Sequence, residues 1–188
     1  MKKIVVGITG ATGIIYGVRI LEILNKLPNI ETILIMSEWA KKNLELETEY
    51  NLEYLKSISN IFFENNNLAA SISSGSYKTN GMIIVPCSMK TLSSIANGYD
   101  DNLISRSANV TIKENRKLII CPRETPLSTI HLENMLKLSK IGVNIIPPMP
   151  AFYNKPESIN DIIDHFAMRV LDQFEIDYAK AKRWSWIL

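Results

Sequence analysis

Cysteine and histidine are scarce in this chain of 188 residues, which has two residues of each type. Cys87 and Cys121 form no CxxC pair, so the sequence indicates neither a disulfide framework nor a typical zinc site. His131 and His165 lack a nearby pattern of acidic ligands. We therefore expect no bound metal, and we expect each histidine to serve in packing or capping and not as a catalytic base.

A long apolar segment and an excess of one charge are also missing. No window approaches the roughly 18 consecutive apolar residues of a membrane-spanning helix. The apolar residues at 4–7 break at once into a Gly/Thr turn, which predicts a first strand and not a signal peptide. The formal net charge is +2 with 21% charged residues, too balanced for a nucleic-acid or membrane-surface binder. We expect a cytoplasmic protein with a single domain over 1–188, including a C-terminal tail from about 176.

Short apolar segments alternate with helical patterns along the chain. This alternation indicates parallel βαβ units, and hence a Rossmann-like α/β fold with a doubly wound sheet and helices on both faces. In such folds the ligand lies beyond the carboxyl ends of the strands. Strands are predicted at 3–8, 32–36, 82–85, 118–121 and 143–146, with a weaker pattern at 61–63, and helices at 13–27, 38–46 and 89–96.

The first strand is followed by a glycine-rich loop at 7–13. Glycines let a ligand approach the backbone, and the helix that follows offers N–H groups to a phosphate. The spacing is not GxGxxG, and the second strand ends at Ser37 where a dinucleotide site usually has Asp or Glu. The loop therefore favours a mononucleotide, with a tight turn that binds nothing as the alternative.

Two later strand ends carry polar groups. Ser88 is a predicted N-cap, and Thr91 lies one turn on, so both hydroxyls can join a helix N-terminus in holding an anion. Simple capping is the alternative. Arg123 and Glu124 follow another buried strand, where they can bind phosphate and shuttle a proton, or form a surface ion pair of little energetic value.

Two aromatic segments are less easily explained by folding alone. The segment 147–153 is too rich in proline for regular structure and too apolar for an ordinary exposed loop. It suits a wall for an apolar ligand, with Tyr153 supplying a hydroxyl. Trp184 and Trp186, near the C-terminus, are expected to dock on the parent domain or on a neighbouring subunit.

Together these segments resemble the UbiX-type flavin prenyltransferases, and the resemblance covers nearly the whole chain. Its specificity comes from the joint order and spacing of many short motifs. These are Gly-Ile-Thr-Gly-Ala-Thr-Gly (7–13), Met-Ser (36–37), Leu-Glu-Thr (46–48), Ser-Ser-Gly-Ser (73–76), Pro-Cys-Ser-Met-Lys-Thr-Leu (86–92), Pro-Arg-Glu-Thr-Pro (122–126), Pro-Ala-Phe-Tyr (150–153), Arg-Val-Leu-Asp-Gln (169–173) and Arg-Trp (183–184).

The resemblance implies a metal-independent transferase that joins a dimethylallyl group from dimethylallyl phosphate to N5 and C6 of reduced FMN. The product is the cofactor of UbiD-type decarboxylases, and family members assemble as homo-oligomers, commonly dodecamers. By the same resemblance, FMN is held by Gly10, Ala11, Thr12, Ser37, Ser88, Met89, Lys90, Thr91 and Arg123. The dimethylallyl phosphate is bound by Arg106, Tyr153 and Arg169, and the catalytic positions are Glu47, Lys113, Glu124 and Trp184.

Two other functions stay open at this point. An FMN-dependent cysteine decarboxylase of the same superfamily normally carries a catalytic histidine early in the chain, whereas His131 and His165 occur late. A non-catalytic flavin carrier would bind FMN without modifying it.

Overall fold

The computed structural model describes residues 1–178 and 183, and this part of the chain forms a six-stranded sheet. The strands are β1 (Lys2–Ile8), β2 (Ile30–Met36), β3 (Ile61–Glu64), β4 (Gly81–Cys87), β5 (Lys117–Pro122) and β6 (Asn144–Ile145). Their order is β3-β2-β1-β4-β5-β6, and every neighbouring pair is parallel. The predicted doubly wound fold is confirmed, and the order reverses between β1 and β4, where such sheets open a crevice.

The central strands are buried because helices cover both faces of the sheet. All seven residues of β4 are buried, as are the last five of β1 and of β2. Such continuous apolar runs are typical of parallel strands. β4 is longer than the predicted 82–85 because its pairing with β5 shifts register after Ile84 and resumes at Cys87. The weak pattern at 61–63 is confirmed as β3, an edge strand that is only partly buried.

The helices pack in two layers. In the described part of the chain they are α1 (Ile14–Asn25), α2 (Glu38–Glu47), α3 (Leu52–Ser57), α4 (Met89–Ala96), α5 (Leu103–Lys113), α6 (Thr129–Lys140) and α7 (Ile159–Asp172). Buried residues of α1, α2, α3 and α7 form one core cluster with the sheet, and those of α4, α5 and α6 form the other. Among these helices, none has the length and apolar character needed to cross a membrane.

Helix α1 lies very close to the sheet at Gly17. A Cβ atom at this position would be 2.7 Å from the carbonyl oxygen of Val85 and 2.9 Å from Cδ1 of Ile8. Any side chain there would push α1 away from β1 and β4. The loop before α1 lies at the strand-end crevice. The close approach of Gly17 to β1 and β4 therefore also sets the distance between that loop and the sheet.

We expect Gly17→Ala to lower the free energy of unfolding by about 1–3 kcal/mol, because a methyl group forced into a packed layer moves the backbone. Chemical denaturation measures the change. Ser139→Ala, at an exposed position on α6, is the control and should change stability by less than about 0.5 kcal/mol. A denaturation midpoint for Gly17→Ala equal to that of the control would contradict the close packing of α1.

Candidate functional site

A cleft of about 390 Å³ opens at the carboxyl ends of the central strands. This is the position at which doubly wound sheets bind ligands. We call it the strand-end cleft. It is lined by Thr9, Gly10, Ser37, Glu38, Trp39, Asn65, Ser88, Lys90, Thr91, Asn102 and Ile104.

The base of the cleft is held together by Thr9, which is 1% exposed. Its Oγ1 donates to the carbonyl oxygen of Pro86 (2.9 Å) and accepts from the backbone N–H of Ser88 (2.7 Å). The backbone N–H of Thr9 also donates to the Pro86 carbonyl oxygen (3.2 Å). One buried hydroxyl therefore ties the end of β1 to the loop between β4 and α4.

Three helices begin at the cleft, and the N-cap residue of each lines it. Ser37 caps α2 by accepting from the N–H of Ala40 (3.1 Å), and Ser88 caps α4 by accepting from the N–H of Thr91 (3.4 Å). Asn102 caps α5 in the same way, through the N–H of Ser105 (3.1 Å). Helix N-termini carry partial positive charge and bind anions. The cleft is therefore suited to a phosphate-bearing ligand.

The N-terminus of α1 is satisfied differently. The Glu47 carboxylate, at the end of α2, accepts from the backbone N–H groups of Gly13 (2.8 Å) and Ile14 (3.2 Å). Gly13 stands at the N-cap with a φ of 96° and offers no side-chain cap of its own. The structure thus brings Glu47 next to Thr12 in the glycine-rich loop, where the negative charge complements the helix dipole.

Arg123 and Glu124 follow β5 and are both exposed. The Arg123 N–H donates to the carbonyl oxygen of Cys87 (3.1 Å), which places this loop beside the β4–α4 loop. Within the described residues, the Arg123 guanidinium forms no ion pair and no side-chain hydrogen bond. Glu124 accepts only locally, from the N–H of Thr125 (2.9 Å). Arg123 and Glu124 do not form a salt bridge with each other, so both side chains can contact a ligand.

Tyr153 and Arg169 are both neighbours of His165, and the Arg169 guanidinium pairs with Asp172 (3.4 Å). The Tyr153 hydroxyl is 2.7 Å from Nε2 of His165, and Arg169 lies one turn further along α7. Phe166 packs edge-on against Tyr16 in the first turn of α1, with ring centroids 4.7 Å apart. The second cluster, which we define as Tyr153, His165 and Arg169, therefore lies on the side of the sheet where α1 begins.

Arg106 and Lys113 lie on α5 and are engaged within the chain. Arg106 donates to the carbonyl oxygen of Ser73 (3.1 Å) and pairs with Asp100 (3.1 Å), whereas Lys113 pairs with Glu114 (2.7 Å). Lys113 is at the far end of α5, about 16 Å along the helix axis from Asn102. Its own subunit therefore does not bring Lys113 to the strand-end cleft. Trp184 and Trp186 lie outside the described residues.

Six lining residues were missed by the sequence analysis: Thr9, Glu38, Trp39, Asn65, Asn102 and Ile104. Asn65 directly follows β3, and its Oδ1 accepts from the N–H of Ile104 (3.1 Å). The strand-end rule would have pointed to Asn65 if it had also been applied to the weaker strand predicted at 61–63. Asn102 is a typical N-cap residue, which is a signal in itself. Trp39 has no such signal, because an exposed tryptophan after a capping serine looks like ordinary surface.

The surroundings of the histidines and cysteines indicate structural roles for these residues. His131 forms a capping box with Ser128 at the start of α6, as the capping prediction for this residue expected. His165 is buried and bonded to Tyr153. Burial raises the pKa of the Cys87 and Cys121 thiols, so neither is an activated nucleophile. Across residues 1–178 and 183, no group of His, Cys, Asp and Glu is arranged to hold a metal.

The cleft fits a flavin mononucleotide. Three helix N-termini and the Ser37 and Ser88 hydroxyls match a phosphate, and the volume lies within the range of small-ligand sites. Gly10 lets the glycine-rich loop pack closely against the start of α2, since a Cβ there would lie 2.4 Å from the Cβ of Trp39. Gly10, Ser37, Ser88, Lys90 and Thr91 line the cleft as predicted. Four other residues predicted to hold FMN lie next to the cleft. Ala11, Thr12 and Met89 are close in sequence to residues that line it, and Arg123 is in the loop that follows β5.

Comparison with known proteins finds relatives over the full length of the chain. Residues 1–171 match the family model described as Flavoprotein. Flavin prenyltransferase LpdB from Lactiplantibacillus plantarum is 58% identical over 185 residues, which cover 98% of this chain and 99% of that protein.

Two solved structures are also similar over nearly their whole length. A dodecameric FMN-dependent UbiX-like decarboxylase from Escherichia coli has a TM-score of 0.96 and 54% identity, covering 97% of this chain and 99% of that one. AnUbiX, in complex with FMN and dimethylallyl pyrophosphate, has a TM-score of 0.96 and 47% identity, covering 98% and 97%.

We expect Gly10→Ala to weaken FMN binding by at least about tenfold, because the added methyl group displaces Trp39 and narrows the cleft. Quenching of flavin fluorescence during titration of the apoprotein gives the dissociation constant. Ser139→Ala is again the control and should bind FMN as the wild type does. Unaltered FMN affinity in a folded Gly10→Ala protein would place the flavin elsewhere.

Proposed function

The chain belongs to the Flavoprotein family, among the flavin prenyltransferases of the UbiX type, and we propose that it transfers a dimethylallyl group from dimethylallyl phosphate to reduced FMN. The observation that carries this proposal is the pairing of two anion-binding regions in one chain. The strand-end cleft suits the flavin phosphate, and the second cluster, beside the start of α1, offers Tyr153 and Arg169 to another phosphate. A carrier needs only the first region.

The reduced flavin supplies the nucleophile, first at N5 and then at C6. The residues of the chain must then stabilise the leaving group. When the allylic C–O bond breaks, its electron pair leaves with the phosphate, and the five-carbon fragment becomes electron-poor. A preorganised cation such as Arg169 stabilises the growing phosphate charge, and the Tyr153 hydroxyl donates to a phosphate oxygen. The apolar 147–153 wall keeps water from the electron-poor fragment.

Two carboxylates serve different tasks in this scheme. Glu47 holds the start of α1 through Gly13 and Ile14 and places a negative charge next to Thr12. Glu124 is exposed, and among residues 1–178 and 183 it accepts from the N–H of Thr125. The bond to C6 forms at the remaining C=C bond of the prenyl group, which takes up one proton, and C6 then loses its ring proton to Glu124 or to the released phosphate. The position of Glu124, one residue after the phosphate-suited Arg123, favours it as the acceptor.

Assembly into a homo-oligomer would explain why many apolar side chains on and near α6 are exposed in the single chain. Leu138 is the buried residue of α6, whereas other apolar side chains of α6 and of the neighbouring loops are exposed. Surfaces of this kind on soluble proteins mark interfaces. We propose that copies of this chain pack here, up to the dodecamer described for the Escherichia coli relative. The exposed side chains are Leu127, Ile130, Leu132, Leu136, Met149, Phe152 and Ile159.

Assembly also gives Arg106 and Lys113 a role. Lys113 lies about 16 Å along α5 from the cleft of its own subunit. We propose that Arg106 and Lys113 face the site of a neighbouring subunit, where they add positive charge for the leaving phosphate. Trp184, outside the described residues, is proposed to cover the site.

The product is proposed to serve a UbiD-type decarboxylase. Reduced FMN and two free thiols are compatible with a reducing compartment, so we place the reaction in the cytoplasm. Oxidative cysteine decarboxylation is the less suitable alternative, because it needs a catalytic histidine early in the chain. His131 caps α6 and His165 is bonded to Tyr153.

Glu124→Gln separates the enzyme from a carrier. We expect kcat for prenylated flavin to fall by about 10²–10⁴-fold, because the amide cannot accept the ring proton, while FMN binding is unchanged. Anaerobic assays with reduced FMN and dimethylallyl phosphate measure the rate, and flavin fluorescence measures the binding.

Glu53→Gln is the matched control, since Glu53 is exposed on α3, and it should keep wild-type turnover. If Glu124→Gln turns over at the wild-type rate, the released phosphate and not Glu124 takes the proton. A wild-type protein that binds FMN but forms no product would support the carrier.

Mixed oligomers test the role of Lys113. Lys113→Ala and Glu124→Gln subunits are each expected to be inactive alone. Random equal mixing should restore roughly a quarter of wild-type activity, because about one site in four combines an intact Glu124 with an intact Lys113 from its neighbour. Coexpression with two affinity tags provides the mixed particles. Mixed particles no more active than the separate variants would place Lys113 outside a neighbour's site.

A further inference from the structure

The 73–77 loop contains the Ser-Ser-Gly-Ser motif, to which the resemblance gives no function. This loop is held against α5 and the residues that follow α5. The guanidinium of Arg116 donates to the carbonyl oxygens of Gly75 (2.7 Å) and Tyr77 (2.8 Å). Arg106 donates to the carbonyl oxygen of the first residue of the loop (3.1 Å). Two arginines therefore hold the backbone of the loop at three points.

Lys113 and Glu114 contact the same loop at Gly75. Their side chains form an ion pair (2.7 Å between Nζ and Oε1), and a guanidinium nitrogen of Arg116 lies 3.9 Å from the second carboxylate oxygen of Glu114. The hydrogen bond from Lys113 lowers the pKa of the Glu114 carboxyl, so this carboxylate is ionised at neutral pH. An exposed ion pair of this kind adds little to stability. It does fix a position, because Glu114 joins the Lys113 ammonium to an arginine that is bonded to the loop.

The absence of a side chain at Gly75 makes room for this ion pair. A Cβ atom there would lie 2.8 Å from Nζ of Lys113 and 2.7 Å from Cδ of Glu114, closer than nonbonded atoms normally approach. Gly75 does not have the positive φ that favours glycine at Gly13, so its backbone would accept alanine. The atoms that a methyl group would meet are the ends of two flexible side chains. Glycine is therefore needed here for the position of the Lys113 ammonium and not for the fold.

We infer that Gly75 is a positioning residue for Lys113, because its bare backbone lets the Lys113–Glu114 pair lie on the loop and so directs the Lys113 ammonium toward the leaving phosphate in a neighbouring subunit. The inference rests on the proposed function, in which Arg106 and Lys113 face that neighbour's site. An ammonium on a flexible four-carbon stem stabilises developing charge well only if its position is fixed beforehand. Gly75 itself does not touch the substrate, and no bond changes at it.

Gly75→Ala tests the inference in the full-length protein. We expect kcat for prenylated flavin to fall by about 10–100-fold, because a displacement of about 1 Å at a charge-stabilising group can cost that much. The loss should appear mainly in kcat, since Lys113 acts on charge that develops as the allylic C–O bond breaks. The FMN dissociation constant and the denaturation midpoint should equal those of the wild type. Ser71→Ala, at an exposed position just before the loop, is the control and should keep wild-type turnover.

Glu114→Ala provides a second variant on the other side of the contact. Without the carboxylate, the Lys113 ammonium loses its fixed place, so we expect kcat to fall as it does in Gly75→Ala. A methyl group at position 75 then has no ion pair left to displace. The Gly75→Ala/Glu114→Ala double variant should therefore be no slower than the slower single variant, whereas independent effects would multiply.

Mixed oligomers separate the positioning of Lys113 from general damage to the subunit. Gly75→Ala mixed equally with Glu124→Gln should regain roughly a quarter of wild-type activity, because the Glu124→Gln subunits supply a correctly placed Lys113. Gly75→Ala mixed with Lys113→Ala should give no more than the mean of the two variants, since no subunit then has Lys113 in place. A generally damaged subunit would leave both mixtures inactive. An effect on the cleft of its own subunit would restore the second mixture and not the first.

Wild-type kcat in a folded Gly75→Ala protein would overturn the inference and leave the proposed function standing. Losses that multiply in the double variant would also overturn it, as would recovery of activity in the mixture with Lys113→Ala or no recovery in the mixture with Glu124→Gln. If the wild type itself forms no prenylated flavin, the proposed function fails and this inference with it.

Discussion

The buried hydroxyl of Thr9 is the contact on which the rest of the site depends. It joins the end of β1 to the β4–α4 loop at the point where the strand order reverses. The crevice of a doubly wound sheet exists because the neighbouring connections leave in opposite directions there. Without this link between the end of β1 and the β4–α4 loop, the glycine-rich loop and the turn at Ser88 would move independently. With it, Gly10 and Ser88 form one rigid floor.

Positive potential in this floor comes largely from the backbone. Ser37, Ser88 and Asn102 each start a helix at the cleft, so three helix dipoles point at one ligand. Lys90, the lysine of the lining, is paired with Asp101 (2.9 Å). The N-terminus of α1 is instead neutralised by Glu47. Under the proposed function, Arg123 and Arg169 then serve the two phosphates individually.

Much of this arrangement was predictable from sequence, because it depends on local rules. The helix at 89–96 follows from Ser88 as a cap and from helical spacing, and it is observed as α4. Ser37 and Ser88 were found because the ends of long apolar strands mark the ligand side of such a sheet. The neighbours of Asn65 could not be predicted, since β3 is a short edge strand with a weak pattern. The position of Lys113 was also hidden, because only the three-dimensional course of α5 shows that it points away from its own cleft.

The function itself was predictable only through resemblance. No single motif distinguishes a prenyltransferase from a carrier, because both need the same cleft for FMN. Under the proposed function, the distinction depends on Tyr153, Glu124 and Arg169, which are distant in sequence and ordinary as residue types. The fold brings Tyr153 to His165 of α7, one turn from Arg169, a relation that the sequence alone does not show.

The mass of the released flavin is the most direct test of prenyl transfer. The purified protein is incubated anaerobically with dithionite-reduced FMN and dimethylallyl phosphate, and the flavin is then extracted. A flavin that carries one dimethylallyl group is the expected result. Unmodified FMN, recovered from protein shown to be folded and flavin-loaded, would contradict the transferase activity and favour a carrier or a decarboxylase.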